Sequence, residues 1–571
     1  MSLDRNSVPG QLRNAAGLGW TEDAPTRRLL AADWRLDYAD FDASLEKPRS
    51  VIFFGGPIIT VDDQLPEVEA MAIKDGKIVA LGDRKKVFES HTARTRMIDL
   101  EGRALMPGFI DPHVHLAWTA ATRYRWLNVS PLATPRRQQM LDAIGEVASN
   151  KTAGEWVLAF GYDPSRSAPG EMPLTAEELD KASMANPIFV MAQSSEVAYV
   201  NHRGLDMVST RMPEANGSGH ELTGELVGAA SFAPFFETFP PFTFEQKLRD
   251  CTRLAREWAG KGCTTVYDAG VGALWGQEEV RLILDLASDP ATPLRLRAAL
   301  VPANNLPRVA GIRPGQGNDR LSFVGIEFTA DGLEPGQRAL AEPLLTKIEG
   351  KSLNHDDDDL KTRMQPWHDA NWQLLVHVSR HEAVDQVLRV FESIFADSPR
   401  IKHRHRLDGC EAIDERQLAR ARHLGLSISH LIGFAGLGEK LGDRAATESS
   451  DSIIPLAWDL KHGVTVSLHS DSPTTSVEPL QYLQTAVTRM MRASREGFEI
   501  DQRIIVQQAL KMITLYPAYQ CFLDDRVGSL AVGKVADLVV LDSDPRQIDP
   551  SRIAETEVLD TYLDGVSQSY P

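Results

Sequence analysis

Between residue 105 and about residue 525 the chain alternates apolar, strand-like runs with helix-like stretches. This alternation predicts a parallel α/β sheet, because parallel strands need a crossover between them. About eight such units in roughly 400 residues indicate a (β/α)₈ TIM barrel with insertions. An open, doubly wound sheet is the alternative, but no GxGxxG motif follows the first strand. The candidate strands are 156–163, 188–194, 264–270, 324–332, 374–380, 405–410, 426–432 and 464–471.

Helix-like stretches lie between these strands, at Phe244 to Lys261, His381 to Ala396 and Val477 to Arg495. A dense acidic run, Asp356 to Asp359, precedes a fourth stretch, Leu360 to Asn371. Carboxylates favour the first turn of a helix because of its dipole. We therefore interpret the run as a helix N-terminus, with a cation site as the less favoured alternative.

The two ends of the chain are rich in short β-runs broken by turns. Near the start, Asp75-Gly76 between two alternating runs predicts a hairpin, and similar runs close the chain. We therefore expect a small β-sandwich domain built from both ends, residues 49–104 and 526–571, around a catalytic barrel domain at 105–525. Residues 1–48 are polar and weakly periodic, and are expected to form an N-terminal extension.

Composition excludes several classes of function. No run of 18 apolar residues occurs, so we expect no membrane span, and the net charge of −18 argues against a nucleic-acid partner. Four widely spaced cysteines without a CxxC pair predict buried thiols rather than a disulfide framework or a cysteine zinc site. The first residues lack the pattern of a signal peptide, and the cytoplasm is therefore the expected compartment.

The strongest local motif is PGFIDPHVH, which ends in His113 and His115. Residues two apart on a strand point to the same face, and a barrel presents its catalytic groups at strand ends. Two neighbouring imidazoles are suitable first ligands for a divalent metal. An HxH pair alone is weak evidence, but its place at a strand end after a Pro-Gly break favours metal binding.

The stretch from Val51 to Leu116, which contains DGKIVALG and DLEGRALMPGFIDPHVHL, resembles the start of the amidohydrolase superfamily. The segment GSLAVGKVADLVVLD at 528–542 resembles the C-terminal part of its small sheet domain. FGYDPSR, VAYVNHRGL and ADG in the interior are similar to the branch of N-substituted formamide deformylases and YtcJ-like proteins. The resemblance covers about residue 49 to the C-terminus.

This resemblance implies further metal ligands. His377, in LLVHVS, matches the family's histidine on the fifth barrel strand, and Asp471, in SLHSDSP, matches the aspartate that ends the eighth. A carboxylate there can bind the metal and also accept a proton from the attacking water. Where relatives carry a carboxylated lysine, this chain has Glu327, which is expected to serve as a ligand or a bridge.

Other positions depart from the family pattern. The sixth-strand histidine is replaced by Gly409, and His405 lies four residues deeper, about 13 Å away at the usual strand rise. His430, at the end of the seventh strand, is the candidate substitute, and we also assign it to the substrate side of the site. Glu196 stands near the substrate where relatives often carry histidine, and His469 is expected either to orient substrate or a ligand or to be structural.

The ligand set leaves two kinds of site open. A two-metal site would use His113, His115, Glu327 and Asp471 for one ion, but the second ion, with Glu327 and His377, lacks ligands. One ion held by His113, His115, Asp471 and either His377 or Glu327 has the usual three to four protein ligands, and we favour it. Zinc is the default ion, while Mn and Fe also fit mixed imidazole and carboxylate ligands.

We therefore expect a metal-dependent hydrolase that cleaves a C–N bond of a small molecule (an amide, an N-acyl group or a cyclic amide) with Asp471 as the general base. The alternatives are a deaminase, lyase or decarboxylase on the same scaffold, or a non-catalytic barrel. The aromatic segment 232–244 is interpreted as packing of an insertion, and less favourably as a lid for aryl or hydrophobic substrates. Family habit suggests a homodimer.

Overall fold

The structure is a computed structural model that describes residues 50–131, 133–163, 174–193, 197–208, 224–227, 229–331, 353–435, 452–491 and 497–568. The expected N-terminal extension, 1–48, lies outside these residues. No helix in these ranges is long and apolar enough to cross a membrane. All four cysteines are free and buried, as the sequence predicts.

Eight parallel strands, labelled β1 to β8 in chain order, form the central barrel. β1 and β8 meet through a parallel bridge between Val114 and Ser472, so the ends of the sheet lie side by side. The fold expected from strand–helix alternation is therefore confirmed. The strands are Phe109–Val114, Cys263–Val271, Arg295–Leu300, Leu321–Thr329, Gln373–Val378, Arg406–Gly409, Ser427–Leu431 and Val466–His469.

Two candidate barrel strands, 156–163 and 188–194, were wrong. They form Val157–Tyr162 and Ile188–Ala192 in a separate five-stranded sheet, inserted between β1 and β2. Its other strands are Leu127–Asn128, Val197–Val200 and Glu225–Val227. Conversely, β3 was missed because its run, RLRAAL, contains two arginines. Both arginines are buried. Arg295 is paired with Asp537 and Asp564, which flank strands of the sheet formed by the chain ends.

Eight helices, labelled α1 to α8, lie between or after the barrel strands. The first, α1 (Phe244–Ala259), begins at a predictable cap, since Thr243 Oγ1 accepts a hydrogen bond from Gln246 N at 3.2 Å. The acidic run also behaves as predicted, because Asp356 Oδ1 accepts from Asp359 N at 2.8 Å at the start of α4. The helices are Phe244–Ala259, Gln277–Ser288, Leu306–Val309, Asp357–Asp369, His381–Asp397, Glu415–His423, Leu456–His462 and Pro479–Thr488.

The remaining helices lie in the segment inserted between β1 and β2, between strands of the sheet formed by the chain ends, or after barrel strands β7 and β8. Those within the insertion are Leu116–Arg125, Arg137–Ser149, Ala176–Ala182, His202–Val208 and Ala229–Phe236. Those elsewhere are Arg84–Phe88, Ile432–Ala435, Val506–Met512 and Leu515–Gln520, with 3₁₀ turns at Ala303–Asn305, Ile500–Gln502 and Pro550–Glu555.

Both ends of the described chain join in one eight-stranded sheet, called the end sheet below. The predicted hairpin is present, since Glu67–Lys74 pairs antiparallel with Lys77–Gly82 and both Asp75 and Gly76 have positive φ. Leu538–Leu541, from the C-terminal side, pairs with Ala104–Pro107 directly before β1. The other strands are Ser50–Ile59, Arg96–Asp99, Val558–Leu563 and Val566–Ser567.

Two short pairings complete the sheets. Gln316–Gly317 lies antiparallel to β4, and Ala412–Ile413 pairs with Ser452–Ile453.

Three buried histidines pack beside the start of β6. His405 Nδ1 accepts from Leu374 N at 2.9 Å, so its Nε2 carries the hydrogen and donates to His368 Nδ1 at 2.8 Å. His403 Nδ1 accepts from His405 N at 2.9 Å. Each ring thus uses a neutral nitrogen as an acceptor. Burial lowers the pKa of His403 to about 4 and that of His405 well below its usual range.

Acidification is expected to destabilise the protein through these histidines. Their folded pKa values lie below the unfolded value of 6.5, so their full contribution is present above about pH 6.5 and is lost as the pH falls towards 4. For His403 alone the loss at pH 5 is about 2 kcal/mol. The free energy of unfolding in urea, measured at pH 7.5, 6 and 5, should fall less steeply in His403→Gln than in the unchanged chain.

The control is His202→Gln. His202 is exposed and its pKa is raised by a hydrogen bond to Asp180, so this variant should not reduce the loss at acid pH. An equally steep loss in His403→Gln would contradict the assignment.

Candidate metal centre

The end of β1 and the segment after β8 are held together by backbone hydrogen bonds where the barrel closes. Asp471 N donates to the His113 carbonyl at 3.0 Å, and His115 N donates to the Ser472 carbonyl at 2.9 Å. Asp471 has a φ of 50°, a left-handed conformation that aspartate tolerates better than most residues. This closure, together with the turn at Asp471, brings residues over 350 positions apart to one point.

Three side chains converge there. His115 Nε2 lies 3.0 Å and His113 Nε2 lies 3.3 Å from Asp471 Oδ1. One ligand atom from each residue lies within 4.8 Å of the others, which makes this the one group of potential metal ligands found in the described ranges. The predicted trio is therefore brought together by the fold.

The burial of these three atoms indicates what they are suited to hold. His113, His115 and Asp471 are 1%, 8% and 2% exposed, and their converging atoms have no hydrogen-bond partner of acceptable geometry among the described residues. Leaving buried polar atoms unpaired costs about 1–3 kcal/mol each. Two imidazole nitrogens and a carboxylate oxygen match the donors that zinc and similar cations prefer. The residues therefore fit a divalent metal.

The charges around the trio favour a cation. Burial opposes protonation of His113, but the carboxylates of Asp408 and Asp471 raise the pKa of His113 to about 9. Burial alone would raise the pKa of Asp471, yet its contacts with His113 and His115 hold that pKa well below the usual range. Asp471 therefore remains ionised and supplies negative charge in a dry site, where it acts strongly.

Asp408 and Arg406 belong to this site, although sequence reasoning missed them. His113 Nδ1 donates to Asp408 Oδ2 at 2.7 Å, and Arg406 Nη2 donates to the same oxygen at 2.8 Å. All three side chains are buried. The signal was present in the sequence, because Arg406 and Asp408 alternate on the strand where the family pattern would place a histidine.

Glu327, on β4, lies beside the trio. His377 lies on the neighbouring strand, β5. Glu327 Oε1 is 3.7 Å from His113 Nε2, and the residue is fully buried. His377 is paired with Ser379, whose Oγ lies 2.9 Å from Nε2. Neither Glu327 nor His377 belongs to the three-residue cluster found among the described residues. Glu327 nevertheless contacts the trio through His113.

Gly409, the position that lacks the family's histidine, has a steric reason to be glycine. Its φ is +81°, and a Cβ there would lie 2.8 Å from His377 Cε1. The ring of His377 thus lies where a side chain at position 409 would begin.

His469 and His430 lie on opposite faces of the sheet. The ring of His469 stacks on that of His113 at 4.9 Å, and its Nδ1 lies 2.8 Å from Ser429 Oγ. Burial lowers the pKa of His469 well below its usual range, so the ring is a neutral packing partner of His113. His430 instead bonds Asp459 of α7 at 2.9 Å. This position faces the helix layer, which contradicts its assignment as a substitute ligand or substrate contact.

Asp268 and Glu279 are further buried carboxylates that sequence reasoning missed. Asp268, on β2, accepts from the backbone N of Leu116 at 3.3 Å, directly after His115. Burial raises the pKa of Asp268 well above its usual range and that of Glu279 to about 7. These two groups therefore resist ionisation, in contrast to Asp471 and Asp408, whose pKa values are held low by their cationic partners.

The inserted sheet reaches the site next to Asp471. Gln193 Nε2 donates to the Thr474 carbonyl at 2.9 Å, and Thr474 Oγ1 donates to Asp471 Oδ2 at 3.0 Å. Glu196, predicted to lie near the substrate, falls outside the described residues. The aromatic segment packs as interior, since Phe232 and Phe235 are 1% and 0% exposed. This agrees with the packing interpretation rather than with a lid.

Known proteins share this sequence pattern and fold. Residues 96–567 match a model of the amidohydrolase family. The chain is 26% identical over 553 residues to N-substituted formamide deformylase from Arthrobacter pascens, covering 91% of this chain and 98% of that protein. It is 24% identical over 537 residues to YtcJ from Bacillus subtilis (strain 168), covering 90% and 98%.

One solved structure has the same overall arrangement. An uncharacterized metal-dependent hydrolase from Pyrococcus horikoshii OT3 aligns with a TM-score of 0.68 at 20% identity, covering 88% of this chain and 99% of that one. At that identity the likeness supports the fold alone.

Proposed function

We propose, from the premise that the chain belongs to the amidohydrolase family, that it is a metal-dependent hydrolase of a C–N bond in a small molecule. The bond is an amide, an N-acyl group or a cyclic amide. The resemblance to N-substituted formamide deformylase supports an amide-type bond. The convergence of His113, His115 and Asp471 carries the proposal, because their facing atoms are buried and have no hydrogen-bond partner among the described residues.

His113 and His115 would hold the metal through Nε2 and Asp471 through Oδ1, with Glu327 as the carboxylate next to them. A single ion fits this set, with zinc as the default and Mn or Fe as alternatives. A divalent cation held there polarises a carbonyl oxygen and makes water more acidic. His377 remains a candidate ligand, but its contact with Ser379 makes it less favoured than Glu327.

Asp471 would act as the general base. Its pKa is held low by His113 and His115, so it is ionised and able to accept a proton from the attacking water. Thr474 Oγ1 fixes the orientation of the carboxylate by donating to Oδ2 at 3.0 Å. The same carboxyl group would then return the proton to the leaving nitrogen, so that the amine departs neutral.

The test is a metal analysis followed by an activity panel. Protein purified without chelator is expected to contain one divalent ion per chain by elemental analysis. It should release amine from at least one member of a panel of N-substituted formamides, N-acyl amines and cyclic amides. His115→Ala should lose both the ion and the activity, whereas His202→Ala, at an exposed histidine, should lose neither.

Other results would point to the rival functions. Release of ammonia or carbon dioxide without hydrolysis of a substituted amide would favour a deaminase or a decarboxylase. A metal content near zero with no activity would favour a non-catalytic barrel and would overturn the proposal.

A further inference from the structure

We propose that Asp408 is a positioning residue that presents the Nε2 atom of His113 to the metal, so that the sixth strand supports the ligands instead of supplying one. This inference rests on the proposed function, because it concerns the same metal. It assigns a task to a carboxylate that lies outside the trio.

The contact between Asp408 and His113 determines the tautomer of the histidine. An ionised carboxylate can only accept a hydrogen bond, so in the neutral ring that a metal requires, the 2.7 Å contact places the hydrogen of His113 on Nδ1. The lone pair is then on Nε2, the atom that faces Asp471 at 3.3 Å. Without such a partner the ring could place its hydrogen on Nε2 and could turn about its side-chain bonds. The carboxylate thus selects both the donor atom and the ring orientation.

Asp408 is itself held in place by Arg406. Nε and Nη2 of Arg406 donate to Asp408 Oδ2 at 3.1 and 2.8 Å, and Nη2 also donates to the Pro112 carbonyl at 2.6 Å. The guanidinium group lies 4.7 Å from the ring centre of Tyr267. Because Pro112 immediately precedes His113, one guanidinium group connects the carboxylate of β6 to the backbone of the histidine that it orients.

Gly409, the next residue on β6, supports the same interpretation. Its missing Cβ leaves room for His377, whose Cε1 would lie 2.8 Å from such an atom. Two consecutive residues of β6 therefore accommodate histidines of two other strands. Asp408 accepts a hydrogen bond from His113 of β1, and Gly409 leaves room for the ring of His377 of β5. A side chain at position 409 could not bind the metal without displacing His377.

Zinc affinity and thermal stability together test the inference. The zinc dissociation constant is measured by competition with a chromophoric chelator, and thermal midpoints are measured with and without zinc. In Asp408→Asn zinc binding should weaken by about 10- to 100-fold, and the zinc-induced rise in the midpoint should shrink. Asp408→Glu keeps a charge beside Arg406 but moves the carboxylate, so it should fold and also bind zinc at least about 10-fold more weakly.

Asp459→Asn is the matched control. Asp459 and His430 form another buried carboxylate–histidine pair, at 2.9 Å, on the outer face of the barrel. This variant should lower both midpoints equally and leave the zinc dissociation constant unchanged.

The outcomes separate this inference from the proposed function. If the unchanged chain binds no zinc, manganese or iron, the proposed metal site fails and this inference fails with it. If the unchanged chain binds zinc and Asp408→Glu binds it within about threefold as tightly, only the positioning role is overturned. An equal weakening in Asp459→Asn would also overturn it, because the effect would then follow from general destabilisation.

Discussion

Replacement of Asp471 by asparagine is expected to lower kcat/KM for amide hydrolysis by at least about 10³-fold. Loss of a general base alone costs about 10²- to 10⁴-fold, and the amide also removes the negative charge that faces His113 and His115. The rate of amine release is measured on the best substrate of the panel, at saturating metal. The metal content of the variant is measured in parallel, so that loss of the ion and loss of the base can be distinguished.

A graded control is available in Thr474→Val, which removes the hydroxyl that donates to Asp471 Oδ2 and keeps the carboxylate. It should reduce kcat/KM by about 10- to 100-fold, since one hydrogen bond to a charged group contributes about 1.5–3 kcal/mol. If Asp471→Asn retained more than a tenth of the activity with its full metal content, another group would have to be the base.

Replacement of Arg295 by alanine is expected to destabilise the protein by about 3–5 kcal/mol. Arg295, at the start of β3, is 2% exposed. It bonds Asp537 through Nε at 2.6 Å and through Nη2 at 3.0 Å, and Asp564 at 2.7 Å. Asp537 directly precedes the strand Leu538–Leu541, so this pair joins the barrel to the end sheet. The variant would leave the buried carboxylate of Asp537 without its cation.

The measurement is the free energy of unfolding in urea, and the control is Arg552→Ala. Arg552 is exposed and pairs with Glu555 at 2.8 Å, a solvent-screened surface contact that contributes little to stability, so this variant should unfold at nearly the same urea concentration as the unchanged chain. A loss below about 1 kcal/mol in Arg295→Ala would show that the buried pair does not stabilise the contact between the two sheets.

Local sequence signals predicted much of the barrel because they depend on neighbouring residues. Apolar runs located six of the eight barrel strands, including β4 with Glu327, and the HxH motif located a seventh, β1 with His113. The same signals misassigned Val157–Tyr162, because an apolar strand in an inserted sheet has the same pattern as one in a barrel. They missed β3 because the charge of Arg295 is neutralised by residues over 240 positions away.

The face of each strand was harder to predict at the sixth and seventh strands. His430 is one residue out of phase with Ser429, which lies beside His469 inside the barrel, and it therefore contacts Asp459 among the helices. Asp408 has the inward phase, and the sequence contains it, but its partner on β1 could not be identified without the register of the sheet. A one-residue difference in register moves a side chain to the opposite face.

The sequence by itself determined the strand–helix alternation, the hairpin at Asp75-Gly76 and the residue types able to bind a metal, because each follows from spacing along a few neighbouring residues. Only the tertiary structure decided that His113, His115 and Asp471 meet, that Asp408 contacts His113 and that His430 faces outward. These contacts depend on how β1 closes against β8 and on the register of β6. Closure and register are set by packing and hydrogen bonds between distant segments, which periodicity along the chain does not encode.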